Sequence, residues 1–365
     1  MAKIAEAFSV IRNGANIKQG LDDSGYPITR IETISNRTVD RNKMGYAGVT
    51  DVARYSDYIL QDGDILMSHI NSEAHLGKVA HYTKQEDEVI IHGMNLLCLR
   101  PRKELVDSRF VFYYLSSDAF LRQIPRITKK SVNQASFNVA ALKELTMSIP
   151  DMKKQYAIVC NLDKVNELIS FRKQQLAKLD ELIKSRFIEM FGDPIKNTQN
   201  RPTTDFINVV MMQRGFDLPV QDRQQDGDIP VYGSNGALDR HNVARVHGGG
   251  VITGRSGTIG KVYYTEGDYW PLNTSLFSVD THGNNIVYLA YLLQMYDLSR
   301  FTEGTGVPTL NRNKFHNKPI IDVPLVEQET FATFVEQVDK LKFEIQKSLE
   351  KLEILKKALM QEYFG

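Results

Sequence analysis

Two stretches, KVNELISFRKQQLAKLDELIKSRFIEMFG (164–192) and KLKFEIQKSLEKLEILKKALMQEYFG (340–365), decide the architecture of this chain. In each, apolar residues recur at alternating gaps of four and three positions, which is the spacing of one stripe along an α-helix. A constant shift of 176 residues (Val165 to Leu341) superimposes the two stripes, including their polar interruptions Arg172 and Ser348. The other stripe residues form a predicted seam between two helices: Val165, Ile169, Leu176, Leu179, Ile183, Leu341, Ile345, Leu352, Leu355 and Leu359.

The repeated helices predict a chain built from two similar halves. A heptad stripe of about four turns is short for an independent dimer, so we expect the two helices to pack against each other, antiparallel, within one chain. Pairing between two chains into a homodimer is the alternative. A helix of about 29 residues would be roughly 43 Å long, slightly more than the 34–36 Å of one DNA turn, so a rigid spacer along a duplex is physically sensible.

The segments outside the helices predict a mixed α/β fold. In the first half, 63–69, 78–82 and 89–101 have strand patterns, and 108–124 has the pattern of one amphipathic helix. VITGRSGTIGKVYY (251–264) and WPLNTSLF (270–277) replay the same order in the second half. We therefore predict two similar globular domains separated by two long helices, with boundaries at 1–150, 151–196, 197–324 and 325–365; 197–205 is the best candidate for a linker.

Bulk composition limits the class of protein. The formal charge of the 365 residues is +1, so a nucleic-acid ligand would require locally concentrated positive charge or a partner that shares the phosphate contacts. The sequence contains no run of eighteen apolar residues, and none of its segments resembles a signal peptide. Cys98 and Cys160 lie in apolar surroundings, which predicts buried free thiols in a reducing cytoplasm.

Catalytic motifs are missing from the sequence. GRSGTIGKV (254–262) has five residues between its glycines where a phosphate-binding loop needs four, and Val262 follows Lys261 where that loop needs Ser or Thr. No strand–helix junction has the glycine pattern of a dinucleotide or S-adenosylmethionine site. His69, His75, His81 and His92 lack metal-ligand spacing. We therefore predict no catalytic, cofactor-binding or metal-binding residues in this chain.

Polar loops occupy matching places in the two halves and are the candidate DNA contacts. Asn and Gln can pair bidentately with adenine and Arg with guanine, and all three also bind phosphate. For any single polar residue, simple solvation is the competing interpretation. The candidates are Ser68, His69, Asn71, Lys129, Lys130, Asn133, Gln134, Ser234, Asn235, Arg255, Ser256, Thr258, Thr305, Thr309, Asn311, Arg312 and Lys314.

The order of these elements resembles that of the DNA-specificity subunits of type I restriction–modification systems. The resemblance is carried by IPVYGSNGALDRHN (229–242), TGRSGTIGKV (253–262), WPLNTSLF (270–277) and GTGVPTLNRNKF (304–315), followed by PIIDVPLVEQETF (319–331). The corresponding junction in the first half, LTMSIPDMKKQYAIV (145–159), resembles the second-half junction 319–331 more weakly. The match departs most in the first domain, where His69-Ile70-Asn71 stands in place of Arg255-Ser256-Gly257.

The resemblance implies a non-catalytic, cytoplasmic subunit with two target-recognition domains, each reading one half of a bipartite sequence in double-stranded DNA. The paired helices would set the spacing and dock two methyltransferase subunits. S-adenosylmethionine, and the ATP and Mg²⁺ needed for restriction, would be bound by partner subunits, which include the translocase–nuclease. No membrane contact is expected.

Two other classes of function remain open at this stage. One is a coiled-coil homodimeric scaffold whose globular domains bind protein. The other is an enzyme in which a methyltransferase and nuclease are fused, although the missing motifs disfavour it. Salt-sensitive binding to a split DNA sequence would distinguish the specificity subunit from the scaffold.

Overall fold

A computed structural model describes residues 1–20, 24–34, 37–131, 134–304 and 308–365. The chain forms two compact units, and each takes part of both long helices. Unit 1 comprises Met1–Phe171 with Leu349–Gly365, and unit 2 comprises Arg172–Ser348.

The first half of the chain contains nine strands and four short helices among its described residues, followed by a long helix. The strands are β1 (Ala2–Lys3), β2 (Phe8–Asn13), β3 (Ile65–Ser68), β4 (Ile70–Asn71), β5 (Val79–His81), β6 (Leu96–Pro101), β7 (Lys129–Lys130), β8 (Ala135–Ser136) and β9 (Thr146–Met147). The helices are α1 (Ile4–Ala7), α2 (Ser108–Leu115), α3 (Asp118–Leu121), α4 (Val139–Glu144) and the long α5 (Met152–Phe191).

The second half repeats the four-stranded sheet and the long helix of the first half, with an added hairpin (residues 229–241) and fewer short helices. Its strands are β10 (Thr203–Asp205), β11 (Met211–Arg214), β12 (Ile229–Gly233), β13 (Gly236–His241), β14 (Gly250–Gly254), β15 (Val262–Thr265), β16 (Trp270–Pro271), β17 (Ser275–Asp280), β18 (Thr302–Glu303), β19 (Thr309–Leu310) and β20 (Pro319–Ile321). Its helices are α6 (Phe206–Val209), α7 (Ile286–Tyr296) and the long α8 (Leu325–Phe364).

The two units share one sheet topology. Unit 1 has an antiparallel sheet of order β2-β6-β3-β5, and unit 2 has an antiparallel sheet of order β11-β17-β14-β15. In both units the strand before the sheet pairs with the strand before the long helix, β1 with β9 and β10 with β20. The predicted fold class, two similar α/β domains with long helices, is confirmed.

Local capping explains where the short helices depart from the sequence prediction. The segment 108–124 forms α2 and α3 rather than one helix. The chain breaks at Ser117, whose hydroxyl donates to the Tyr114 carbonyl (2.6 Å) and accepts from the Phe120 N–H (3.3 Å), so that it caps α3. A serine at this position competes with the backbone for the hydrogen bonds that would continue α2.

The end of α5 is fixed by the segment that follows it. Gly192 adopts φ 76°, the left-handed conformation that ends many helices at glycine. Arg201 then folds back, donating to the Met190 carbonyl at 2.6 Å with its guanidinium 5.5 Å from the Phe191 ring centroid. The predicted linker 197–205 is therefore folded against the helix end, and its last three residues are strand β10.

In unit 2 the two long helices run antiparallel. Phe187 and Phe191, late in α5, contact Phe331, early in α8, with ring centroids 5.5 and 5.6 Å apart. The carboxylate of Asp180, earlier in α5, forms an ion pair with the ammonium of Lys342, later in α8, at an N–O distance of 2.7 Å. All three phenylalanines are fully buried in the core of this unit.

In unit 1 the opposite ends of the same helices pack together. Ile158 and Leu162 of α5 are buried in the core cluster against which Leu359 and Phe364 of α8 pack. The Asn161 amide also donates to the Tyr363 hydroxyl at 2.9 Å. Early residues of α5 thus meet late residues of α8, so the pairing is antiparallel in this unit as well.

The buried stripe of α8 lies in a different register from the predicted one. Leu341 and Leu355 are 57% and 46% exposed, whereas Val338 and Leu349 are 4% and 6% exposed. The shift that relates the helices is 173 residues, which also superimposes Phe191-Gly192 on Phe364-Gly365. The sequence pattern misled because Lys342 occupies a stripe position, where it is half-buried and paired with Asp180.

The α5 stripe lies where it was predicted. Val165, Ile169 and Ile183 are buried and Leu176 and Leu179 are half-buried. On α8, the shared members of the two registers are half-buried: Ile345, Leu352 and Leu359.

Two further sequence-based expectations concern cysteines and membranes. Cys98 is buried as predicted, but Cys160 is exposed because it lies on the outward face of α5, so that prediction was wrong. Of the helices in the described ranges, none has the length and apolar character needed to cross a bilayer.

The register of α8 predicts unequal effects for two leucines of the same unit. Replacing the buried Leu349 by alanine should destabilise the protein by about 2–4 kcal/mol, because it leaves a cavity in the helix pair. Replacing the exposed Leu355 by alanine should change stability by no more than about 0.5 kcal/mol. Urea unfolding of the two variants measures this difference. A larger loss of stability for Leu355→Ala than for Leu349→Ala would contradict the 173-residue register and favour the 176-residue one.

Candidate nucleic-acid interface

One edge of each four-stranded sheet gathers the polar loops. The central strands β6 and β17 run antiparallel to their neighbours, so their first residues lie beside the last residues of β2 and β3, or of β11 and β14. We call this the loop edge of each unit. It is formed by the residues that follow β2, β3, β11 and β14 and by those that precede β6 and β17.

In unit 2, backbone hydrogen bonds join three loops at this edge. The N–H groups of Arg255 and Ser256 donate to the Thr274 carbonyl at 2.8 and 3.2 Å. The Arg255 carbonyl in turn accepts from the Leu310 N–H at 2.8 Å, and Ser256 forms a β-bridge with Thr309. Thr309 is therefore brought beside the candidates Arg255 and Ser256, although more than fifty residues separate it from them in sequence.

Two glycines bring further candidate residues to the same edge, and Gly254 does so by a close approach of backbones. A Cβ at Gly254 would lie 1.7 Å from the Thr258 carbonyl oxygen and 3.1 Å from that of Ser234, so only glycine fits. A Cβ at Gly257 would lie 3.7 Å from the Ser234 hydroxyl. Ser234 and Thr258 thus join the same group of loops, and Asn235 is exposed beside Ser234 in the turn between β12 and β13.

Of the remaining unit 2 candidates, Asn311 and Lys314 have side-chain partners within the chain. The Asn311 side chain accepts from the Asn313 N–H at 3.1 Å and caps a short helical turn. Lys314 forms an ion pair with Glu303 at 2.7 Å. Arg312 is half-buried in the same turn. Thr305 lies outside the described residues.

In unit 1 a small sheet joins the two candidate loops. Strand β8 pairs with β4 on one side and β7 on the other, in the order β4-β8-β7. Lys129, Lys130 and Gln134 are exposed on this hairpin, and Lys130 forms a surface ion pair with Glu73 at 2.8 Å. Asn133 lies outside the described residues. The Asn71 amide contacts the Ser68 hydroxyl at 3.4 Å, and its side-chain oxygen accepts from the Ser72 N–H at 2.8 Å.

Ser68 and His69 do not lie at an accessible surface, which corrects their selection as DNA contacts. They are 2% and 3% exposed. Ser68 ends β3 and its N–H donates to the Lys78 carbonyl (2.9 Å), while His69 lies between β3 and β4 and its carbonyl accepts from the Phe137 N–H (3.1 Å). The imidazole packs edge-on against the Phe137 ring, 6.2 Å away. In the folded unit their side chains are enclosed by protein.

His69 stands at the same structural place as Arg255. Each carbonyl accepts a backbone hydrogen bond from the hairpin that covers the loop edge, from Phe137 in unit 1 and from Leu310 in unit 2. One unit buries a side chain at this place, while Arg255 is half-exposed in the other. The two loop edges therefore present different hydrogen-bonding groups on the same backbone framework.

Two arginines near the unit 2 edge escaped the sequence analysis. The Arg245 guanidinium lies 4.6 Å from the Phe216 ring centroid, and the Arg300 guanidinium lies 4.1 and 4.6 Å from the Tyr296 and Phe301 rings. Both arginines are exposed, and no carboxylate of the described residues forms an ion pair with either. An aromatic ring beneath a guanidinium restricts its orientation and leaves its N–H groups free to bind a ligand.

The described part of the chain holds no cluster of three His, Cys, Asp or Glu side chains suited to a metal ion. What the loop edges offer is an array of hydroxyl, amide, ammonium and guanidinium groups. Groups of this kind bind phosphates and the edges of bases.

Comparisons with known proteins agree with this geometry. The family model for the type I restriction modification DNA specificity domain matches residues 1–181 and 196–356. The chain therefore belongs to this family of specificity domains.

Relatives and solved structures extend the comparison. The type I restriction enzyme MjaX specificity subunit of Methanocaldococcus jannaschii is 39% identical over 189 residues, which span 52% of this chain and 44% of that protein. The S subunit of a type I restriction–modification system from M. genitalium is 15% identical, with a TM-score of 0.62 over 100% of this chain and 95% of that one. A chain from a structure of the assembly and conformational transition of a type I system is 14% identical, with a TM-score of 0.60 over 100% and 96%. At these identities the solved structures support the fold alone.

The burial of His69 predicts a pH effect on stability. Burial lowers the pKa of His69 from 6.5 to about 4. Between these values the unfolded chain binds a proton that the folded chain does not, so His69 makes the free energy of unfolding fall as pH drops from 6.5 towards 4. His69→Gln should remove this contribution, so the variant should lose less stability than the wild type over that range.

Urea unfolding at pH 7, 6 and 5, with NMR titration of the imidazole, measures this effect. His92, which burial also holds at a pKa of about 4, is present in both proteins and cancels in the comparison. An imidazole of His69 that titrates near pH 6.5 would contradict the buried placement.

Proposed function

We propose that this chain is a non-catalytic, sequence-specific subunit that reads a bipartite target in double-stranded DNA. The observation that carries the proposal is the repeated framework with unlike loop edges. Two units with the same sheet topology place polar loops at the same edge, yet Arg255 in one unit corresponds to the buried His69 in the other. Two readers built in this way would recognise two different half-sites.

Partners would supply the chemistry. In this proposal two methyltransferase subunits bind S-adenosylmethionine and modify adenine, and translocase–nuclease subunits, with ATP and Mg²⁺, complete a restriction complex in the cytoplasm. The net charge of +1 supports a shared grip on the DNA phosphates. Exposed apolar residues on the outward faces of the long helices offer docking positions: Leu168, Leu182 and Leu355.

We further propose that α5 and α8 set the gap between the half-sites. A 40-residue helix is roughly 60 Å long, longer than the stripe alone suggested. The competing homodimeric coiled coil is disfavoured because Ile183 of the α5 stripe and Val338 of the observed α8 stripe are already buried inside their own unit.

Mapping modified adenines across a genome tests the proposed function. The chain is co-expressed with its neighbouring methyltransferase in a host that lacks the system. A gapped, two-part motif is expected, and a continuous motif or no modification would contradict the proposal.

A shortened variant tests the spacer role in the same assay. Residues 174–180 and 342–348 contain the paired Asp180 and Lys342, so removing both segments deletes one heptad from each helix and preserves the stripe. The gap should shorten by about 10 Å, or about three base pairs. An unchanged gap would refute the spacer role. Deletion from one helix alone is the control, and it should abolish folding.

The exposed lysines of the unit 1 hairpin provide a second test. Replacing Lys129 and Lys130 together by alanine should weaken duplex binding at low salt and reduce the salt slope of log K by about 2. Lys347 and Lys351, exposed on α8, form the matched control pair, whose replacement should leave the slope unchanged. Fluorescence anisotropy over a range of salt concentrations gives both slopes. If the two double variants had equal salt slopes of log K, Lys129 and Lys130 would not contact DNA phosphates.

A further inference from the structure

A buried glutamine occupies the first turn of each long helix. Gln155 of α5 and Gln328 of α8 are 0% and 1% exposed. They are separated by the same 173 residues that relate the two helices. Buried side chains with this much hydrogen-bonding capacity are uncommon unless every group is paired.

In unit 1, the Gln155 amide makes three hydrogen bonds. Its oxygen accepts from the Asp107 N–H at 2.8 Å, and its nitrogen donates to the carbonyls of Leu105 (3.0 Å) and Pro150 (2.8 Å). Asp107 is the residue that caps α2, its carboxylate accepting from the N–H groups of Arg109 and Phe110. One amide therefore ties the start of α2 to the start of α5.

In unit 2, Gln328 makes the corresponding bonds. Its oxygen accepts from the Asn285 N–H at 2.9 Å, and Asn285 caps α7 through its own side chain. Its nitrogen donates to the Val323 carbonyl at 2.8 Å, five residues earlier, as Pro150 is to Gln155. The second donor hydrogen goes to the Asn284 side-chain oxygen at 2.6 Å. The same arrangement, in which a buried glutamine of a long helix binds the residue that caps a neighbouring helix, thus occurs twice with different neighbours. We call this arrangement the helix joint.

The chemistry of the joint requires a primary amide. Two carbonyl-type acceptors and one backbone donor must be satisfied at a buried point, and glutamine supplies one acceptor and two donor hydrogens from a single plane. A methionine of similar shape would leave all three partners unpaired, and an ionised glutamate could accept but not donate.

We propose that Gln155 and Gln328 are positioning residues, each holding the helix that begins beside it, α2 or α7, at one fixed angle to its long helix. The consequence of this inference rests on the proposed function. If each unit keeps a single orientation relative to α5 and α8, the two half-sites of the DNA target are separated by a single gap. The glutamines contact neither DNA nor a partner in this proposal, and they act through the units they hold.

The test uses the full chain co-expressed with its methyltransferase. Gln155→Met should keep the bases read in each half-site, but sites with a gap one base pair longer or shorter should rise at least tenfold in modification frequency. Gln328→Met should behave in the same way. Ile65→Val, a change in the fully buried centre of β3, serves as a control for lost stability and should retain one gap. One unchanged gap in both methionine variants would overturn the proposal.

A second measurement does not depend on DNA. Hydrogen exchange at the Asp107 amide should accelerate at least tenfold in Gln155→Met, while the amides inside β3 and β6 keep their wild-type protection. In Gln155→Glu, the deficit in Tm should shrink as pH falls, because the protonated acid regains a donor; in Gln155→Met it should stay constant.

The two experiments separate the two proposals. If the wild-type chain yields no gapped motif, the proposed function fails while the exchange result still tests the joint. If the gapped motif is present and exchange at Asp107 is unchanged in Gln155→Met, the joint fails alone.

Discussion

In each unit, the hydrophobic core that lies against the long helices takes side chains from both of them. Unit 1 buries Ile158 and Leu162 of α5 in a cluster against which Phe364 of α8 packs, and unit 2 buries Phe187 of α5 with Phe331 of α8. Neither core can close with one helix alone. A change of length in one helix must therefore be matched in the other, and only whole heptads preserve the buried stripe.

Polar groups inside these helix contacts define the register more sharply than the apolar residues do. Apolar stripes can slide by three or four positions with modest cost, since Leu341, Ile345 and Leu352 also form a plausible stripe. Lys342 pairs with Asp180 in one register of the helices only, while Gln155 and Gln328 bind the residues that cap α2 and α7. Loss of a partner is costly for the fully buried glutamine amides, and specification of register is the best-attested role of polar residues at helix interfaces.

The difference between apolar stripes and polar contacts explains which features the sequence could predict and which it could not. Local periodicity revealed the two long helices, the buried stripe of α5 and the repetition of strand and helix segments in the two halves. It assigned the α8 seam three residues too far along because Lys342 lies inside the stripe while Leu341 and Leu355 lie outside it. It also treated the Ser108–Ile124 segment as one helix because a capping serine looks the same as a solvated one.

The candidate site was less accessible to sequence reasoning for a physical reason. The matching loops of the two halves could be recognised in the sequence. The exposure of each loop side chain, however, depends on how the hairpin of its unit (β7–β8 or β18–β19) packs over it. His69 and Arg255 occupy the same place and differ in burial because Phe137 packs against the imidazole. Arg245 acquires its orientation from Phe216, a ring distant in sequence, so no local pattern could reveal it.

The division between framework and loop edge has a consequence for how such a chain can change. The side chains that pair the helices and fill the cores lie on strands and helices, whereas Ser234, Arg255 and Thr309 are held at the edge by backbone hydrogen bonds and glycine contacts. Backbone bonds tolerate replacement of the side chain they position. Substitutions at the edge can therefore alter the groups presented to a ligand at little cost to either core, while substitutions at the helix joints cannot.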